Sequence, residues 1–275
     1  MRDSENIRFL SSTIERGIEP VAADLSSSLR SRQCESESHS VSFSWTRTYR
    51  SAISLGMADG EATFDIEENL TKVGVIPTLQ ARSRTLRNRL IQEALRIARK
   101  VPFDDVSIHE ICAAAGCSTG AFYSRFPDKI TLFKAVMIFA AAESGPMLES
   151  MVRSLPFEEI LPKLMAKQVE RFQKQETFFR SAFKVSLDSP EAWEPFRRNA
   201  NSLAKAYLER VQSHPDIDQE RVKPDRVLFA FQVMYGVLNN TVINRPGPFL
   251  IESEDFPLLL RESMLAAMHL PLRTP

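Results

Sequence analysis

Beyond residue 80, apolar residues return every three or four positions along most of the chain, the spacing of α-helices that each bury one side. The first stripe, Leu90, Ala94, Ile97 and Val101, predicts a helix over Thr85 to Val101. A second stripe, Ile108, Ile111, Cys112 and Ala115, is short, and Phe122 and Phe126, one turn apart, mark a third helix. Ile130, Phe133, Val136, Met137 and Phe139 then open a long apolar helix. Further helices are predicted from Phe157 to about Lys174, from Glu176 to about Ser186, and from Ser189, as cap to Pro190, to about Ser213. Two more run from Pro224 to Ile243 and from Phe256 to Leu270, separated by the break Asn244-Arg245-Pro246-Gly247-Pro248.

The punctuation between the short stripes is specific. Ser107 can cap a helix while Glu110, three residues on, returns the hydrogen bond, the signature of a capping box. Gly116 can take the left-handed conformation that ends a helix, and Ser118 is a preferred cap for the next one. Two short helices joined by a tight glycine turn form a helix-turn-helix, whose second helix reads the DNA major groove. With Phe122 and Phe126 inward, Thr119, Gly120 and Tyr123 are expected to point outward. Pro127 stops that helix, and Asp128 caps the long helix behind it.

The stretch from Ile111 through Tyr123, with Phe126, Lys129 and Leu132, resembles the TetR family of bacterial transcriptional regulators over about Arg84 to Val136. Cys112, Cys117 and Arg125 depart from the family's usual residues without breaking the pattern. The resemblance implies an all-α chain, an N-terminal three-helix DNA-binding domain joined to a larger helical bundle that binds effector and dimerises. It also implies that Lys129 is a phosphate anchor and that the partners are a double-stranded operator, a second copy of the chain and a small effector.

Residue chemistry assigns the remaining roles. Ser107, Ser118 and Tyr123 are expected at phosphates, and Thr119, Gly120 and Ala121 at base edges, where Thr119 and Ala121 can touch a thymine methyl. Arg125 can take a guanine or a phosphate. Arg82, Arg84, Arg87 and Arg89 read as a flexible basic arm ahead of the first helix, with a solvated helix start as the equal alternative.

Charge changes the picture once it is counted locally. The whole chain has a formal net charge of zero, yet Ala81 to Ala135 holds ten Lys or Arg against five acids. Positive charge is therefore concentrated on the reader. With 43% apolar residues and only nine glycines in 275, the composition suits a helical protein. Cys34, Cys112 and Cys117 form neither a metal-ligand pattern nor a disulfide framework, so Cys112 and Cys117 read as small core residues of a cytoplasmic protein. Ala135 to Ala142, the longest uncharged apolar run, is too short to span a bilayer.

Three segments are expected. Residues 1–78 form an extended N-terminal segment, serine-rich over Ser26 to Ser44 and largely disordered; Met57 offers an internal start, so Met1 to Gly56 reads as an over-extended frame. Residues 79–128 are the helix-turn-helix domain and 129–275 the effector-binding and dimerisation domain. In the latter, Phe172, Phe179, Phe183, Trp193, Phe196, Phe229 and Tyr235 are candidates to line a ligand pocket, with plain core as the alternative. The last two helices carry more apolar surface than one subunit can cover, which predicts a homodimer through a four-helix bundle.

The expected function is that of a one-component regulator, a repressor released from a palindromic operator by a small, largely apolar effector. A ligand-independent DNA-binding regulator is the alternative. A helical-bundle enzyme is the rival from another class, but His39, His109, His214 and His269 are scattered and form no Glu-x-x-His or His-Glu-x-x-His motif. No catalytic residue, metal or cofactor is expected.

Overall fold

The computed structural model describes residues 65–271, so Cys34, His39, the serine-rich stretch and Met57 lie outside the described residues. Among the described residues there are ten α-helices and two short 3-10 turns, with no strand. The helices are α1 (Ile66–Lys72), α2 (Ala81–Ala98), α3 (Ile108–Ala115), α4 (Thr119–Tyr123) and α5 (Lys129–Ser154). They continue as α6 (Phe157–Lys174), α7 (Glu176–Asp188), α8 (Glu194–Gln212), α9 (Pro224–Asn244) and α10 (Phe256–Met268). The 3-10 turns are Phe103–Asp105, before α3, and Pro190–Trp193, before α8.

The local signals fold as their chemistry dictates. The Ser107 and Glu110 side chains exchange hydrogen bonds with each other's backbone, Gly116 closes α3 at φ 64°, ψ 44°, and Ser118 accepts from the Ala121 amide. Asp128 accepts from the Thr131 amide at 2.6 Å and so starts α5. Leu90, Ala94, Ile111, Cys112, Ala115, Phe122 and Phe126 are buried together as the core of the reader.

Helix α5 packs against α1, α2 and α8. Its length and apolar composition, like those of α9, suffice to cross a membrane, a point the short uncharged run does not convey. More than half of its apolar window is covered by the protein itself, as in any core helix. At Gly145 the α5 backbone passes so close to α8 that an added Cβ would lie 2.6 Å from Asn199. That approach lets the Asn199 amide donate to the Ala141 carbonyl at 2.7 Å, next to a proline, Pro146, that cannot donate within the helix.

Three expectations are corrected. Helix α2 starts at Ala81 rather than Thr85 and ends before Val101, so Arg82, Arg84, Arg87 and Arg89 stand on a helix and not on a flexible arm. Residues 65–78 are ordered: Asp65 caps α1, and Leu70, Val73 and Val75 are buried in the same core as α2 and α5. Ser189 makes no side-chain cap, and Pro190 opens a 3-10 turn ahead of α8. Helix α6 spans Phe157–Lys174 as its apolar spacing predicts.

Candidate nucleic-acid interface and body cavity

One face of α4 is free of the protein's own mass. Phe122 points inward with no exposure, whereas Thr119 and Gly120 are exposed and Tyr123 is 53% exposed. The Tyr123 ring stands edge-on to Phe122, with centroids 5.2 Å apart, which fixes its direction while its hydroxyl stays outside. Ser107 and Ser118, the exposed caps of α3 and α4, sit at the helix N-termini where amides can meet an anion. Ala121 is half-buried beside them, and Arg84 is exposed on α2.

Three basic residues expected at the nucleic acid are held elsewhere. Arg87 is 1% exposed, with its two terminal nitrogens on the two oxygens of Glu67 at 2.7 and 2.6 Å and its Nε on Asn88. The guanidinium beside it holds the Glu67 carboxyl below the usual carboxylate range. Arg87 therefore ties α1 to α2 and is no phosphate arm.

Lys129 spends all three ammonium hydrogens inside the protein. They go to the carbonyls of Phe103, Asp104 and Val106 at 3.0, 2.9 and 2.9 Å, with the charge 5.3 Å from the centre of the Phe103 ring. It closes the 3-10 turn that leads into α3. Arg125 likewise donates to the Ala121 carbonyl, the Ser124 hydroxyl and both oxygens of Ser83, which pins the end of α4 to the first turn of α2. A bidentate reading of guanine is incompatible with those bonds.

Cys112 is buried and Cys117 half-buried, one on each side of the turn. Burial, reinforced by Cys117, pushes the Cys112 thiol up to about 11, so it stays protonated as a core residue.

In the body, α5, α6, α7 and α8 line a half-open cavity of about 220 Å³. Of the seven expected lining residues, Phe179 and Phe196 line it, beside Phe178, which has no exposure. Phe172 stacks on Phe179 at 4.2 Å and 8° and lies behind the wall, while Phe183, Trp193 and Phe196 form an adjoining stack at 4.5 and 4.8 Å. Tyr235 accepts from the Gln168 amide at 2.8 Å away from the lining. Phe229 is 54% exposed on the far side of α9 and cannot belong to a pocket. With Val237 and Ile243 on α9 and Leu258 and Leu265 on α10, it makes an exposed apolar face.

Sequence reasoning misses the polar part of the wall. Arg99, which closes α2, Glu143 on α5 and Arg171 on α6 all line the cavity. Arg171 could have been suspected from Gln168 and Arg171, polar residues three apart within the buried stripe Leu164, Met165, Val169 and Phe172.

The cavity is linked to the reader through several direct contacts. Arg99 bonds Glu143 at 2.8 Å, the Ser181 hydroxyl on α7 accepts from the Phe103 amide at 3.1 Å, and Lys184 pairs with Asp104. Phe133 of α5 stacks on Phe103 at 4.2 Å and also touches Phe178.

Comparison with known proteins bears on this arrangement. Residues 90–136, from the buried part of α2 to the second turn of α5, match the family of bacterial regulatory proteins, tetR family. The HTH-type transcriptional regulator YerO of Bacillus subtilis (strain 168) is 23% identical over 183 residues, 65% of this chain and 63% of that protein. The chain thus spans less than two thirds of that relative's length. A TetR-family transcriptional regulator from Mesorhizobium loti MAFF303099 has the same fold, with a TM-score of 0.52 and 20% identity over 69% of this chain and 96% of that one. GusR of Salmonella enterica is similar to the same extent, with a TM-score of 0.50 and 16% identity over 67% of this chain and 96% of its own.

Proposed function

We propose that the chain is a TetR-family transcriptional regulator, a dimeric repressor released from a two-fold symmetric operator by a small molecule. The observation that carries the proposal is the outward face of α4, where Thr119, Gly120 and Tyr123 are exposed between two capped helix N-termini. Thr119, Gly120 and Ala121 meet base edges, and Tyr123, Ser107, Ser118 and Arg84 meet the phosphates on either side. Lys129 and Arg125 act behind that surface, as the internal bonds that set its angle.

Dimerisation follows from the exposed apolar face of α9 and α10, which a second copy covers by two-fold symmetry to give a four-helix bundle. Two readers then sit one helical turn apart, about 34–36 Å, on successive major grooves. The effector occupies the cavity between α5, α6, α7 and α8. It favours the state with mis-spaced readers, and the contacts of Arg99, Ser181 and Lys184 carry the difference to the reader. The protein acts in the cytoplasm, where such an operator lies.

Selection of bound fragments from genomic DNA tests the proposal. An enriched motif with two-fold symmetry supports it, and recovery of fragments without a shared motif overturns it.

A further inference from the structure

We propose that the effector is a small organic anion, a carboxylate on a single ring or a short apolar chain, received by Arg171 and Arg99; this rests on the cavity being the effector site of the proposed function. The positive charge of the wall is not balanced from within. Glu170 is held by Lys167 at 3.0 Å and Lys174 at 2.5 Å, and Glu143 by Arg99 at 2.8 Å. Among the described residues no carboxylate is paired with Arg171.

Arg171 is nonetheless half-buried. It lies over the Phe172 and Phe179 rings, 5.6 and 5.4 Å from their centres, and burial pulls its pKa below the ordinary value, with Arg99 acting in the same direction. The Arg99 Nε is also buried and lacks a partner. Two guanidiniums with unused donors face one cavity, repelling each other across it. An anion placed between them accepts the unused hydrogens and removes the repulsion, a gain that a neutral molecule of the same shape does not make.

The rest of the wall sets the size and the other end of the ligand. Phe178, Phe179, Phe196 and Met147 supply an apolar surface, and about 220 Å³ holds one ring or a chain of similar volume. A carboxylate at one end and a ring at the other match the two halves of the cavity. The carboxylate also competes with Glu143 for Arg99, the residue that closes α2.

Benzoate and hexanoate, each against its amide, test the charge requirement by calorimetry on the full chain. Charge-assisted bonds to two guanidiniums are expected to favour each acid over its amide by about ten- to hundredfold. Arg171→Gln should abolish the preference, and Arg171→Lys should keep part of it. Should Arg171→Gln fail to fold, the acid-to-amide ratio on the unaltered protein decides alone. Equal binding of acid and amide, or binding of neither, overturns the proposal. Equal binding that still releases operator leaves the effector site standing and removes only its charge.

Discussion

Arg99 donates from Nη2 to Glu143 at 2.8 Å and thereby joins the residue that caps the end of α2 to the middle of α5, where the cavity begins. Both side chains are partly in water, at 35% and 64% exposure, so the pair adds little to stability. Its position gives it another use. Glu143→Gln should change the unfolding free energy by less than about 1 kcal/mol. It should shift the ratio of operator affinities measured with and without benzoate by about two- to thirtyfold. An unchanged ratio in fluorescence anisotropy removes this bond from the route between the sites.

The Glu67–Arg87 pair behaves differently because one partner is buried. Glu67→Gln leaves a desolvated guanidinium with a weaker acceptor and should cost about 1–3 kcal/mol in urea unfolding. The sign with pH follows from Glu67, whose folded pKa lies below the ordinary 4.5. The stabilisation is full above 4.5 and is lost as pH falls through the folded value. The unaltered protein should therefore lose stability over that window more steeply than Glu67→Gln does, and parallel profiles would show that the pair is not the cause.

Lys129 and Tyr123 separate support from contact. Lys129→Ala strands three carbonyls and should cost about 2–4 kcal/mol of stability, weakening every DNA sequence alike because the whole reader loosens. Tyr123→Phe removes an exposed hydroxyl, so stability should stay within about 0.5 kcal/mol. Operator binding should still fall by about five- to twentyfold. Paired calorimetry and DNA titration check both, and a stable Lys129→Ala protein with lost binding would return Lys129 to the phosphates.

The face of α9 and α10 gives a prediction about assembly. Phe229→Asp places a charge on an apolar surface that is open in the single chain, so the subunit should fold while the dimer dissociates. Sedimentation equilibrium reads the change directly. A variant that remains dimeric places the interface on another surface.

What the sequence makes legible is what short-range chemistry decides. The Ser107–Glu110 box, the left-handed Gly116, the Ser118 and Asp128 caps and the inward Phe122 and Phe126 each depend on residues within one turn. The long-range partners of charged side chains leave no such trace. Arg87 finds Glu67 twenty residues earlier, Lys129 finds carbonyls 23 to 26 residues back, and Arg125 finds Ser83 at a separation of 42. Each looks like a free cation in the sequence and is a structural bond in the fold. Helix α1 escapes notice because Leu70, Val73 and Val75 are too few to make a stripe, although all three are buried. Phe229 and Phe179 are alike in composition, and only the neighbours of their helices tell a surface ring from a cavity wall.

Gly120 offers the most direct measurement. A Cβ there would meet nothing nearer than the Ser118 hydroxyl at 3.9 Å, so Gly120→Leu fits the fold and should raise helix stability slightly, by up to about 1 kcal/mol. The added side chain stands on the face proposed to approach the bases. Titration of the selected operator duplex should show thermal stability kept or raised and affinity lowered by at least about a hundredfold. A Gly120→Leu protein that binds its operator as tightly as the unaltered chain would contradict the assignment of this face to DNA.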